Sequence, residues 1–218
     1  MLMVALADTL SAPHRRAWPA RLAVWCAWVV ATTVGWMLGS LVVLLVQTWT
    51  TGAADAFVKS VAGSALLGGI VGLAVGVGQW LVLRREHDGT LSWIAVNVGA
   101  WAVAWAIGQA MTDSLLDDYW LLGLVPGGLL LAVIVGVCQW LALRRCARRA
   151  SWWLPASLIG WSVTGIACMY GGAGLLAIGL AAFVGPVAWL IAAVPGAFAG
   201  LVTGTALLRL RPKPTRPL

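Results

Sequence analysis

Gln79-Trp80-Leu81-Val82-Leu83-Arg84-Arg85 returns later in the chain as Gln139-Trp140-Leu141-Ala142-Leu143-Arg144-Arg145, and each copy closes a glycine-laced apolar run. Each is soon followed by a second apolar run opening on tryptophan, at Trp93 and at Trp152-Trp153. In a water-facing chain such a repeat would mark a solenoid. Here Val61–Leu83 and residues 121–143 hold no charged side chain, and each exceeds the roughly 20 apolar residues that cross a ~30 Å hydrocarbon core. The repeating unit reads as a pair of membrane-spanning helices.

Composition agrees. A chain that is 61% hydrophobic and 10% charged, with a mean hydropathy of +0.94, falls outside the range of soluble domains. Six spans are predicted near residues 22–47, 60–83, 92–111, 120–143, 152–170 and 189–208, leaving no room between them for a soluble domain. The predicted fold is an all-α integral membrane protein of three parallel two-helix repeats around a pseudo-threefold axis, not the inverted repeats of many transporters. The hairpins occupy residues 21–85, 86–145 and 146–211, flanked by an N-terminal segment 1–20 and a tail 212–218.

The odd spans share a pattern. Trp28-x3-Thr32-x2-Gly35-Trp36 matches Trp93-x3-Asn97-x2-Ala100-Trp101 and Trp153-x3-Ser157-x2-Gly160-Trp161. At about 100° per residue these positions share one helix face. The even spans carry small residues four apart: Gly68, Gly72 and Gly76; Gly128, Ala132 and Gly136; Gly196, Gly200 and Gly204. Such stripes are grooves into which another backbone fits, the kind of packing that holds helices together in lipid. Gln79 and Gln139 fall at the ends of two grooves, pointed away from lipid, whereas Val82 is expected to face it. The third copy is degenerate, with Leu207-Leu208 where Gln-Trp stands in the others. It also has an extra Gly-rich stretch near 171–188, expected to extend the fifth span and then break into a short half-helix or re-entrant turn that other protein covers.

The net charge of +7 is distributed, not clustered for nucleic acid. Arg15, Arg16 and Arg21 precede the first span, Arg84 and Arg85 follow the second, and Arg144, Arg145, Arg148 and Arg149 follow the fourth. Arg209, Arg211, Lys213 and Arg216 follow the last, whereas Asp55, Asp113, Asp117 and Asp118 fall in the other loops, with Lys59 the only basic residue there. This positive-inside asymmetry predicts a bacterial inner-membrane protein with both termini cytoplasmic. The start, with Asp8 and no leading basic residue, does not read as a cleavable signal.

The residues that carry chemistry are few. Both histidines, His14 and His87, lie in loops, and no acidic or basic residue falls mid-span, so the spans offer no imidazole for haem and no relay of ionisable groups. Cys26, Cys138 and Cys168 lie in spans and Cys146 in a loop, without metal-site spacing. No nucleophile–base pair, zinc motif or phosphate loop is present, and an enzyme is not expected. Of the 15 tryptophans, Trp18, Trp25, Trp28, Trp49, Trp80, Trp93, Trp120, Trp140, Trp152 and Trp153 are assigned to interface anchoring. Trp36, Trp101, Trp105 and Trp161 lie deeper, either as core packing or as the lining for an isoprenoid, carotenoid, quinone or lipid tail. Asn97, Gln79 and Gln139 are candidates for interhelical hydrogen bonds or for contact with such a cofactor.

The glycine-rich helix ending in QWLVLRR, followed by LSWIAVNVGAW or SWWLPASLIGW, resembles an uncharacterised group of bacterial multi-pass membrane proteins built from such hairpins. The resemblance implies membrane location and repeated architecture over about residues 20–211, and no catalytic residues. The layout is also similar to the three two-helix repeats of mitochondrial carriers, but their Pro-x-[Asp/Glu]-x-x-[Lys/Arg] signature is missing, so the likeness is one of architecture alone. The expected role is a non-enzymatic accessory or scaffold subunit of a respiratory or photosynthetic complex, in contact with lipid and other membrane subunits. The alternative is a transporter or channel for a neutral or lipophilic solute.

Overall fold

The computed structural model describes residues 18–85, 91–115, 120–177 and 185–212. Among these, six long helices make up nearly the whole fold: α1 (Trp18–Trp49), α3 (Val61–Leu83), α4 (Ser92–Leu115), α5 (Trp120–Cys146), α6 (Trp153–Ala177) and α7 (Gly185–Leu207). A short helix, α2 (Ala53–Val58), sits between α1 and α3. The strands β1 (Ala147–Arg148) and β2 (Arg211–Pro212) form a two-residue antiparallel bridge between the α5–α6 connection and the chain beyond α7.

Among the described residues, four helices are long and apolar enough to cross a membrane: Trp18–Trp49, Val61–Leu83, Ser92–Met111 and Gly128–Cys146. Their outward faces are hydrocarbon. Val30, Val34 and Leu38 are exposed along α1, Leu66 and Leu73 along α3, and Val133, Val137 and Leu141 along α5. The polar side chains point inward instead, and Thr32, Gln79, Asn97, Gln139, Ser157, Thr164 and Thr203 are fully buried. Amides inside and aliphatic side chains outside is the arrangement that hydrocarbon solvent favours, because unpaired polar groups are costly there.

The helices close into a ring. α1 packs on α3 and α7, α3 on α4, α4 on α5, α5 on α6, and α6 on α7. One buried cluster joins the starts of α1, α4 and α6 to the ends of α3, α5 and α7, so neighbours run in opposite directions. Glycine decides where the ring can shut. A Cβ on Gly72 would lie 2.6 Å from the Asn97 carbonyl oxygen of α4, one on Gly136 2.9 Å from Ser157 Cβ of α6, and one on Gly200 3.0 Å from Val29 Cα of α1. Gly68 and Gly76 also abut α4 and Gly196 and Gly204 abut α1, while Gly128 meets Gly165 of α6; Ala132 is fully buried. Each small-residue stripe therefore joins one hairpin to the next, and the third closes on the first. Within the first and third hairpins, Gly35 and Gly39 of α1 admit α3, and Gly160 of α6 admits α7.

Two expectations are corrected. Val82, predicted to face lipid, is buried in the core, and its neighbour Leu81 is exposed. The Gly-rich stretch first prolongs the fifth long helix, as expected: residues 171–177 continue α6, and 185–188 already belong to α7. The intervening 178–184 lie outside the described residues. α1 also extends past both predicted ends and α7 starts earlier, because helix hydrogen bonding does not stop where the hydropathy falls.

Candidate functional site

The middle of the ring is filled with indole. Trp28, Trp93 and Trp153, one from each of α1, α4 and α6, meet edge to face with centroids 6.3, 5.6 and 5.6 Å apart. Two turns deeper, Trp36, Trp101 and Trp161 form a second triad at 5.8, 6.3 and 5.0 Å. Tilted and T-shaped pairs match the negative ring face to the positive ring edge, worth about 0.5–1.5 kcal/mol per pair beyond area burial. The assignment of Trp28, Trp93 and Trp153 to interface anchoring is therefore corrected: they are at most 2% exposed. Trp18, Trp49 and Trp152 do stay exposed at 69%, 81% and 49%.

The outer triad is tied down by neutral amides and hydroxyls. Trp93 Nε1 donates to Gln79 Oε1 at 3.3 Å, and Gln79 Nε2 donates to Thr32 Oγ1 at 3.2 Å. One sector on, Trp153 Nε1 donates to Gln139 Oε1 at 3.0 Å, and Gln139 Nε2 donates to Asn97 Oδ1 at 2.8 Å. Each glutamine thus bridges the two helices that flank its own: Gln79 on α3 links α4 to α1, and Gln139 on α5 links α6 to α4. Asn97 is oriented by donating its Nδ2 to the Trp93 carbonyl at 2.9 Å.

The third sector departs from the pattern. Leu207 holds the glutamine position and cannot accept, so Trp28 Nε1 turns to Thr203 Oγ1, one turn earlier on α7, at 2.9 Å. Ser157, the counterpart of Thr32 and Asn97, is left with a buried hydroxyl oxygen and no partner. Thr164 adds an α6–α7 link by donating to the Pro195 carbonyl at 2.8 Å.

In the deeper triad the Nε1–H groups of Trp101 and Trp161 are buried with no acceptor. Trp105 stands apart from the triad; its ring lies against Gly68, where an added Cβ would come within 2.7 Å of it. Of the predicted residues, the structure thus brings Gln79, Gln139 and Asn97 into one hydrogen-bonded belt and Trp36, Trp101 and Trp161 into one aromatic layer.

Thr32, Thr203 and the outer triad were not singled out by sequence reasoning as a site. A signal existed: the first tryptophan of each odd-helix pattern keeps a fixed four-residue spacing to a polar residue in all three copies, a register that interface anchoring does not require.

Chemically, this belt is built of neutral groups that hold helices in fixed relation. Among the described residues no three His, Cys, Asp or Glu side chains come together as a metal-binding group. Comparison with protein-family models, with curated proteins and with solved structures returned no match.

Proposed function

We propose that this chain is a six-span protein of the bacterial cytoplasmic membrane, built as three parallel two-helix repeats about a pseudo-threefold axis, with both termini cytoplasmic. In this reading it is a non-enzymatic scaffold or accessory subunit of a larger respiratory or photosynthetic assembly. The observation that carries the role is the filled axis: six indoles pack on one another, and the glycine seams are spent on closing the ring. What remains for partners is the outer surface, with its exposed aliphatic rows. The equivalent bonds of Gln79 and Gln139 support the repeat. The arginines that follow α3, α5 and α7 share one end, with Asp55 and Asp113 at the other, which supports the orientation.

Purification from native membranes in mild detergent tests the role through the mass and absorption spectrum of the preparation. Stoichiometric membrane partners or bound pigment are expected; a colourless monomer with no partner contradicts the subunit reading.

A second reading, transport of a neutral or lipophilic solute, is favoured by one feature, the two acceptor-free indole N–H groups of Trp101 and Trp161. A carbonyl from a quinone, carotenoid or lipid ester would satisfy them. Extraction of an isoprenoid or lipid that is lost on Trp101→Ala would support this contact, and an identical extract from the variant would dismiss it.

A further inference from the structure

In the third sector of the belt Ser157 is fully buried, and its hydroxyl oxygen meets no partner among the described residues. A hydroxyl taken out of water without a hydrogen bond is costly. Ser157 sits against Gly136 of α5, where an added Cβ would lie 2.9 Å from its own, as Asn97 sits against Gly76 of α3 at the same 2.9 Å. In the other two sectors the residue at this position accepts from a glutamine: Thr32 Oγ1 from Gln79 Nε2, and Asn97 Oδ1 from Gln139 Nε2.

A second hydroxyl faces it from α7. Gly160 of α6 meets Ala199 of α7, where an added Cβ would lie 3.3 Å from the Ala199 Cα, and one turn deeper Thr164 donates to the Pro195 carbonyl. The same antiparallel register, carried one turn toward the arginine end, sets Thr203 at the level of Ala156 and Ser157. Thr203 Oγ1 donates to the Ala199 carbonyl at 2.6 Å and accepts the Trp28 Nε1–H at 2.9 Å, which leaves one of its two lone pairs. The two hydroxyls share a level across the α6–α7 seam without bonding each other. The sector is also short of side-chain atoms. Leu207 has one heavy atom fewer than glutamine, Ser157 has one fewer than Thr32 and two fewer than Asn97, and Thr203 only matches Val75 and Val135 at the equivalent positions.

We propose that the α6–α7 seam is a binding site for one structural water, held by Ser157 Oγ and Thr203 Oγ1. The water accepts from the Ser157 hydroxyl and donates to the remaining lone pair of Thr203. Its second hydrogen turns to the Trp153 carbonyl, the counterpart of the Trp93 carbonyl that accepts from Asn97 Nδ2 at 2.9 Å. Three partners is the usual number for a buried water, and a pair of polar groups too far apart to bond directly is where one sits. Ser157 lies one turn, about 6 Å, inside the start of α6 at Trp153, so the site is close to the arginine end, where water is at hand. The water does here what a glutamine amide does in the other two sectors. The ring is thus closed, on the side where α7 returns to α1, through an exchangeable molecule. The site does not depend on the subunit role, and it is tested on the full chain.

The experiment is a crystal structure of the full chain grown in a lipidic mesophase, at a resolution that orders the waters of the arginine end. One density peak within hydrogen-bond distance of both Ser157 Oγ and Thr203 Oγ1 is expected. It should be lost in Ser157→Val, whose extra methyl group takes the space and offers no hydroxyl, and in Leu207→Gln, whose amide reaches the same atoms. In detergent solution the indole N–H of Trp28 should show a magnetisation-transfer cross-peak to water that Trp93 and Trp153 do not show, and Ser157→Val should abolish it. A parent map without the peak, or with the Ser157 hydroxyl turned onto the Trp153 carbonyl, would overturn the site. So would a Trp28 cross-peak that survives Ser157→Val, since it would then come from the Thr203 hydroxyl alone. The parent map decides the question even where a variant does not fold.

Discussion

Gln139 and Asn97 are joined across the α5–α4 boundary by a 2.8 Å bond from amide Nε2 to amide Oδ1, and the same glutamine accepts the Trp153 N–H at 3.0 Å. One side chain thereby fixes the relation of three helices. In hydrocarbon its loss strands an indole donor and an amide oxygen together. Gln139→Leu should cost about 1–3 kcal/mol of unfolding free energy, read by denaturation in mixed micelles. Gln79→Leu should cost less, because its two bonds are 3.2 and 3.3 Å long and contribute less at that length. In a double-mutant cycle, Gln139→Leu and Asn97→Ala should be coupled by about 0.6–2 kcal/mol; strict additivity would mean the bond contributes nothing.

Restoring the missing glutamine should help the third sector. Leu207→Gln places an amide where Ser157 lacks a partner and where Trp28 now uses Thr203. The expected gain is about 0.6 kcal/mol, the average for such a bond in a membrane protein. The same substitution at exposed Leu201 should be destabilising, since it turns an amide toward lipid. If Leu207→Gln behaves like the Leu201 control, the sectors are not equivalent in the way their spacing suggests.

The seams can be probed with glycine substitutions of opposite expectation. Gly72→Leu and Gly200→Leu would push side chains into the Asn97 carbonyl and into Val29, forcing neighbouring helices apart at a cost above the usual 1–3 kcal/mol for overpacking. Gly99→Leu meets nothing within 4 Å and should leave thermal stability in detergent nearly unchanged. Equal melting curves for seam and control variants would remove glycine packing as the basis of the ring.

Topology is tested by labelling. In a background without native cysteines, Asp55→Cys and Asp113→Cys should react with an impermeant thiol reagent added to intact cells, and Arg85→Cys should not. The reverse pattern would invert the membrane orientation.

Much of this architecture was legible without coordinates. Hydrocarbon imposes a strong rule, that backbone and side-chain polar groups be satisfied inside the protein, and spans of the required length stand out in any chain that obeys it. The recurrence of QWL-x-LRR marked the hairpin, and the four-residue spacing of glycines marked the contact faces, because spacing on a helix is a direct statement about direction. The sequence did not say which helix each groove would meet. Gly72 could have faced its own hairpin partner, and only the closed ring set it on α4 and set Gly200 on α1.

Tryptophan shows the same division. One dimension of chain placed Trp28, Trp93 and Trp153 near arginines, and an interface anchor and a core indole look alike there, since both are apolar bodies with a single donor. Only the tertiary structure, by turning all three toward one axis beside Gln79, Gln139 and Thr203, decided that they are core. The spans, their polarity and the faces of the helices follow from local periodicity and the solvent. The identity of each partner depends on how the ring closes, a property that no single helix carries.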